Sequence, residues 1–323
     1  SIGKDWQAAV ERVRIAEELG YEHVCSGEAW GPSVLPFLTL VAANTSRVTI
    51  GTSILNCFSR TPATLAQELA MLDQISGGRA VLGLGTSGAN VIEHFHGVPF
   101  ERPLRRLRET VEIFDRLIAG EKLEYRGEIF RLERGFQLDY ARPRPKIPTW
   151  IAAISPKSIA QTGEIADGVI PIHWPKAKFA SLRADLEAAA AATGQPDKPF
   201  TIAPFTTVNV LDGEDDEARW RDARQILWFY INRMGVFYWQ MLERNGFEAE
   251  VAACRKAFAA RDSRAAFEAI SERMIREIQC IGPIDAVREQ LRERAALGAD
   301  LQLLYMPRGG VESAARQLEA LIA

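Results

Sequence analysis

The chain has 323 residues, 47% of them hydrophobic and 25% charged, with a formal net charge of −3. These values suit an ordinary globular protein and argue against a nucleic-acid partner, because phosphate binding needs concentrated Lys and Arg and here they are dispersed. No apolar run reaches the roughly 20 residues of a membrane span and no signal peptide is visible, so the expectation is a cytoplasmic protein with no membrane partner.

Asp5 can cap a first helix, in which Ala9, Val10, Val13, Ala16 and Leu19 recur at helical spacing until Gly20. "YEHVCSG" follows as a short strand and "SVLPFLTLVAANT" as a helix with Pro36 in its first turn. "RVTIGTSIL" is a strand, "TPATLAQELAMLDQIS" a helix closed by Gly77 and Gly78, and "RAVLGLG" a strand before a long amphipathic helix at 103–119. Residues 120–148, rich in Gly, Pro and Arg, break the rhythm and read as an excursion over one barrel face. "PTWIAAI" resumes as a strand with a helix from Pro156; "DGVIPIH" and "FTIAPFTTVNVL" are further strands flanking a helix at 176–192. A long helical region at about 214–278 precedes a helix at 283–297, the strand "LQLLYM" and a last helix.

Strand–helix alternation predicts parallel pairing through right-handed crossovers. Seven strands are expected, near 21, 48, 79, 149, 168, 201 and 301, where a (β/α)8 TIM barrel needs eight. The first strand is then missing or truncated, surviving at most as the stub "SIG"; an open doubly wound sheet is the alternative.

Gly83, Gly85 and Gly88 spell G-x-G-x-x-G. A dinucleotide fingerprint requires a first βα turn and an apolar helix directly after it. This run follows the third visible strand, and "ANVIEHFHGVPFERP" is too broken by Gly97, Pro99 and Pro103 to supply that helix. It reads better as the loop at the tip of a barrel strand, where Gly85, Thr86 and Ser87 let a flat ring lie against backbone. Other strand ends carry polar or aromatic groups too: Glu28 and Trp30 in "SGEAWG", Ser53, Ile54 and Asn56 before "SRTP", and His173 and Trp174 after "DGVIPI". In "SPKS", Ser155 suits an N-cap and Pro156 the first helical position; with Lys157 and Ser158 the free amides make a candidate phosphate cradle. Cys25, Cys57, Cys254 and Cys280 form no C-x-x-C pair and read as buried reduced thiols. His94 and His96 supply too few ligands for a metal, so none is expected.

Together these segments resemble luciferase-like oxidoreductases. The block "RTPATLAQELAMLDQISGGRAVLGLG" is specific to that superfamily; "SGANVIEHFHGVPF" and "YINRMGVFY" point to the branch that uses the deazaflavin coenzyme F420. The resemblance runs over nearly the whole chain. It implies one (β/α)8 TIM-barrel domain over 1–323, with insertions at about 120–148 and 214–280, and a homodimer or higher homo-oligomer. It also implies a non-prolyl cis peptide, here Ser53–Ile54, in a bulge backing the middle of the cofactor ring. The family's cradle reads G-P-K, with Ser155 standing here in place of glycine.

The activity implied is hydride transfer between coenzyme F420 and a small organic substrate. Glu28 and His96 are the candidates for proton transfer, with Glu93 on the same loop as His96. Trp30 covers the substrate side or packs against a helix. His173 lines the pocket or its rim; His23, in mid-strand, reads as structural. The helix "ILWFYINRMGVFYWQML" is buried, or walls a substrate tunnel, or forms a subunit interface. Two alternatives stay open: an FMN-dependent luciferase-like monooxygenase, and a non-catalytic flavin-binding homologue.

Overall fold

The computed structural model describes residues 5–307 and 309–322; the "SIG" stub lies outside them. The chain opens with α1 (Trp6–Glu18), capped by the Asp5 carboxylate, which accepts the Ala8 N–H at 2.9 Å. Then come β1 (His23–Ser26), α2 (Leu35–Asn44), β2 (Thr49–Thr52), β3 (Leu55–Asn56), α3 (Pro62–Ser76) and β4 (Ala80–Gly85). Thr61 caps α3, Pro62 takes its first position, and Gly77 ends it with a left-handed φ of 68°. After α4 (Ala89–His94) and α5 (Pro103–Ala119), β5 (Leu123–Arg126) and β6 (Arg131–Phe136) pair antiparallel, so the expected excursion contains a hairpin.

The remainder comprises β7 (Thr149–Ile151), α6 (Pro156–Ile165), β8 (Gly168–Val169), α7 (Phe179–Ala192), β9 (Thr201–Ile202), β10 (Phe205–Thr206) and β11 (Val208–Val210). There follow α8 (Asp216–Arg233), α9 (Val236–Leu242), α10 (Glu248–Ala259), α11 (Ser263–Glu268), α12 (Glu272–Ile278), β12 (Cys280–Gly282), α13 (Ile284–Ala296), β13 (Leu303–Leu304) and α14 (Val311–Ile322). Apart from the hairpin, the pairs β1–β2, β2–β4, β3–β4, β4–β7, β10–β13 and β11–β12 are all parallel.

Two expectations needed correction. "FTIAPFTTVNVL" is three short strands, because the chain changes neighbours: Ala203 bonds the Val169 carbonyl, β10 pairs β13, and β11 pairs β12. The helical region is broken where backbone turns left-handed, at Gly235 (φ 102°), Gly246 (φ 92°) and Arg261 (φ 60°). Strand β12, three residues between two helices, offers no periodicity to read.

The described residues form two compact units: one holds the chain up to Ala152, Gln161–Gly168 and the stretch from Met306, the other Ala153–Ala160 and Val169–Tyr305. In the first, β1, β2, β4 and β7 lie side by side, β3 continues β2 against β4, and α1 packs on α14, α2 on α3 and α3 on α5. Helices send buried carboxylates to backbone N–H groups that no ladder satisfies. Glu17 of α1 accepts Ser46, Arg47 and Val48; Asp73 of α3 accepts Ala80; Glu109 of α5 accepts Glu128, Ile129 and Phe130 in the hairpin turn. In the second unit, α8 and α13 pack on β11, α12 and α13 on β12, and α10 on both α8 and α11. Leu227, Val251, Met274, Ile281 and Val287 form its buried interior. No described helix is long and apolar enough to cross a membrane.

Candidate active site

The strand tips of the first unit are organised around a bulge. Strand β2 pairs β4 at Ile50–Ala80 and Gly51–Val81, and β3 resumes at Leu55–Leu84 and Asn56–Gly85. Residues 52–54 therefore face only 82–83, one residue in excess. Where the ladder lapses, the Thr52 hydroxyl replaces it, accepting the Gly83 N–H at 2.9 Å and donating to the Gly83 carbonyl at 2.8 Å. The Ser53–Ile54 peptide in this bulge is cis. Both neighbouring strand tips leave room for it. A Cβ at Gly27 would stand 2.3 Å from the Ser53 carbonyl oxygen, and one at Gly85 2.4 Å from Ile54 Cδ1. Ser53 N–H bonds the Ser26 carbonyl, and Glu28 N–H the Ile54 carbonyl.

Below the bulge the strand side chains are aromatic. His23 stacks on Trp150 with centroids 5.1 Å apart, and Gly51 clears space for its imidazole. Burial pushes His23 down to about 4, so it is neutral and structural. Burial likewise pushes the Cys25 thiol up to about 11, against a hydrogen bond from Ser53. All four cysteines are free.

The other candidates fall into distinct states. Glu28 is committed: Arg60 binds both its oxygens at 2.7 and 2.9 Å, and the Val34 N–H donates to it at 3.0 Å. Burial opposes ionisation, but these partners outweigh it and hold the carboxyl below its ordinary value. Glu28 is thus an ionised acceptor rather than an acid poised to donate. Arg60 also binds Glu68 at 2.7 Å. Neither Arg60 nor Glu68 was singled out from sequence; the only signal was a basic residue directly before the Thr-Pro helix start. Asn56 Oδ1 accepts the Phe58 and Ser59 N–H groups, leaving Nδ2. Thr86 is half-buried, and Ser87 is exposed with a left-handed φ of 56°. Glu93 lies in the last turn of α4 rather than on a loop; it is exposed and accepts the Phe100 N–H, which ties the stretch after the helix back to it. His96 is half-buried with Nε2 buried and unpaired, its ring edge-on to Phe95. Trp30 is 61% exposed.

At the start of α6, Ser155 and Ser158 cap each other. Ser155 Oγ accepts the Ser158 N–H at 3.2 Å, and Ser158 Oγ accepts the Ser155 N–H at 3.0 Å, a serine version of the capping box. Pro156 has no N–H, and Lys157 is exposed. The two hydroxyls are engaged with each other, and Ser158 Oγ also with the Ser155 carbonyl, so the exposed Lys157 is the cationic group at this helix start. No three His, Cys, Asp or Glu among the described residues come together as a metal set.

The candidate site of this α/β protein is thus a bulged parallel strand closely flanked by Gly27 and Gly85, with polar groups at the neighbouring strand tips. The chain matches the luciferase-like monooxygenase family over residues 1–301 and belongs to it. It is 30% identical over 331 aligned positions to a Mycobacterium tuberculosis protein named as a coenzyme F420-dependent oxidoreductase, covering 98% of this chain and 94% of that one. It is 29% identical to the 5,10-methylenetetrahydromethanopterin reductase of Archaeoglobus fulgidus, over 92% of this chain and 89% of the relative. The solved structure of the coenzyme F420-dependent tetrahydromethanopterin reductase of Methanopyrus kandleri superposes with a TM-score of 0.81 at 22% identity, over 98% and 94% of the two chains. That likeness establishes the α/β fold of luciferase-like structures.

Proposed function

We propose that this protein is an oxidoreductase that moves a hydride between coenzyme F420 and a small organic substrate. The observation that carries the reading is the bulge at Thr52–Ile54, which Gly27 and Gly85 accommodate by close approach, with polar strand tips beside it on which a planar ligand would rest. The relatives named for F420 support it. In this reading Ser53, Ile54, Asn56, Gly85, Thr86 and Ser87 hold the ring, and the first turn of α6, with Ser155, Pro156, Lys157 and Ser158, takes a phosphate. The coenzyme supplies the hydride. The protein's part is to orient, to shed water and to handle a proton.

For the proton, the two candidates divide by their partners. Glu28 spends both oxygens on Arg60, so its role is to fix the loop that carries Trp30 and to set a charge near the bulge. His96, with an unpaired Nε2, is the group free to carry a proton. Trp30 covers the substrate.

A fluorescence titration of the purified protein with F420, alongside FMN, tests the reading. F420 is expected to bind at micromolar concentration and FMN not to be retained. Retention of FMN with no response to F420 overturns the proposal in favour of a flavin monooxygenase. Binding of F420 without turnover across a screen of acceptors would mark a non-catalytic binder. The protein is expected to be a homodimer or larger and to act in the cytoplasm.

A further inference from the structure

The second unit holds a cavity that the reading above does not use. It measures about 220 Å³, is partly open to solvent, and lies among the turn Lys176–Lys178 ahead of α7, the turn Glu243–Phe247 between α9 and α10, and α12. Lys178, Asn245, Phe247, Arg273 and Glu277 line it. Its walls are held by contacts of their own. The Lys178 carbonyl accepts the Trp174 indole N–H at 3.2 Å and the Ser181 hydroxyl at 3.0 Å. Asn245 Nδ2 donates to the Met241 carbonyl at 2.9 Å, which leaves Oδ1. The Arg273 guanidinium lies 4.5 Å over the buried Phe247 ring and donates to the Gly246 carbonyl and to Glu250, both at 2.9 Å.

Two lining side chains end in charges that no described residue answers. Glu277 is half-buried, and its Oε2 is buried with no hydrogen-bond partner. The fully buried Arg294 donates to the Glu277 carbonyl at 3.3 Å and not to the carboxylate. Lys178 is exposed, and its ammonium takes part in no ion pair or hydrogen bond among the described residues. Carboxylate and ammonium do not pair with each other, yet both border the same cavity. A buried carboxylate oxygen without a donor is costly, and a positively charged donor from outside the chain would satisfy it.

We propose that this cavity binds a small zwitterion, an α-amino acid, with its ammonium on Glu277 and its carboxylate on Lys178. An ion of one sign is disfavoured: an anion meets Glu277, and a cation meets Lys178 and Arg273. A molecule that carries both charges a few bonds apart answers both groups at once. Asn245 Oδ1 accepts an N–H from an uncharged side chain. The volume is below the roughly 300–1,000 Å³ of sites for cofactors and drug-sized molecules, which fits a ligand of amino-acid size. The binding requires neither the coenzyme nor the bulge.

Isothermal titration calorimetry of the whole protein with L-glutamine, N-acetyl-L-glutamine and L-glutaminamide tests this. The acetyl compound lacks the cation and the amide lacks the anion. L-Glutamine is expected to bind with a Kd of about 1 mM or tighter, and each derivative at least about tenfold more weakly. Glu277→Gln is expected to weaken L-glutamine about tenfold or more and to erase its advantage over the acetyl compound, while its advantage over the amide stays. Lys178→Gln is expected to do the reverse; its position is exposed, so it decides alone if Glu277→Gln does not fold. Failure of L-glutamine to bind at about 10 mM, equal binding of either derivative by the parent, or unchanged selectivity in either folded variant overturns the proposal. These titrations contain no F420, so their outcome and that of the hydride-transfer reading are decided separately.

Discussion

Removing the Arg60 side chain tests how the strand tips are held. The Glu28 and Arg60 side chains are 11% and 13% exposed and meet through two hydrogen bonds of 2.7 and 2.9 Å. At an effective dielectric of about 20, unit charges about 4 Å apart attract by about 4 kcal/mol. Desolvation of both groups offsets part of that, but deleting one partner strands the other, and the Val34 N–H remains the main support for Glu28. Arg60→Met is therefore expected to cost about 2–3 kcal/mol. The double change Glu28→Leu with Arg60→Met should recover at least about half of it, because no deeply buried charge is then left unpaired; Glu68, the other partner of Arg60, is 34% exposed and can be solvated. Urea unfolding followed by circular dichroism at pH 7, with slopes compared as well as midpoints, gives both values. An Arg60→Met protein within about 0.5 kcal/mol of the parent, or a double variant no better than the single, would refute the argument. Because Glu28 is held ionised, its contribution should persist above its ordinary range and disappear as pH falls through its lowered native value.

Three more expectations follow. A Cβ at Gly127 would sit 2.3 Å from Glu109 Oε2, so Gly127→Ala should cost about 1–3 kcal/mol and speed amide exchange at Glu128, Ile129 and Phe130; unchanged exchange there contradicts the carboxylate clamp. His23 is held near 4 by burial and His173 near 3, both below 6.5, so the unfolded chain binds more protons as pH falls below that ordinary value. Each should remove about 2 kcal/mol of stability between pH 6.5 and 5, and His23→Leu should flatten that slope in urea midpoints taken across the range. Ser155→Ala should lower the melting temperature through a lost cap of about 0.5–2 kcal/mol, whereas Lys157→Ala should leave it alone and weaken coenzyme binding; identical behaviour of the two variants would dissolve the distinction drawn at this helix start.

What could be read from the sequence depended on how local the signal was. The caps at Asp5, Thr61 and Ser155, and the stop at Gly77, are local, and each sits where the residue chemistry puts it. Apolar runs such as "RAVLGLG" declare buried parallel strands. The broken course of 201–210 could not be read, because its breaks are set by which neighbour each pair of residues meets, and those neighbours lie at 280–282 and 303–304. At the site, sequence placed Glu28 at a strand tip but could not show that its oxygens are taken, since Arg60 lies 32 positions on. His173 was noticed as a strand-end residue; its left-handed backbone and unpaired nitrogen belong to the folded state alone.

The Thr52 hydroxyl makes the interruption between β2 and β3 self-contained. Donor and acceptor are both answered by one side chain on one residue, so the gap in the ladder leaves no Gly83 backbone group unsatisfied. A valine of the same shape would leave the Gly83 amide and carbonyl both wanting, while a serine could still serve them. That makes the kink a portable module: loops and helices around it are free to diverge and reshape what the protein accepts, provided one hydroxyl stays put.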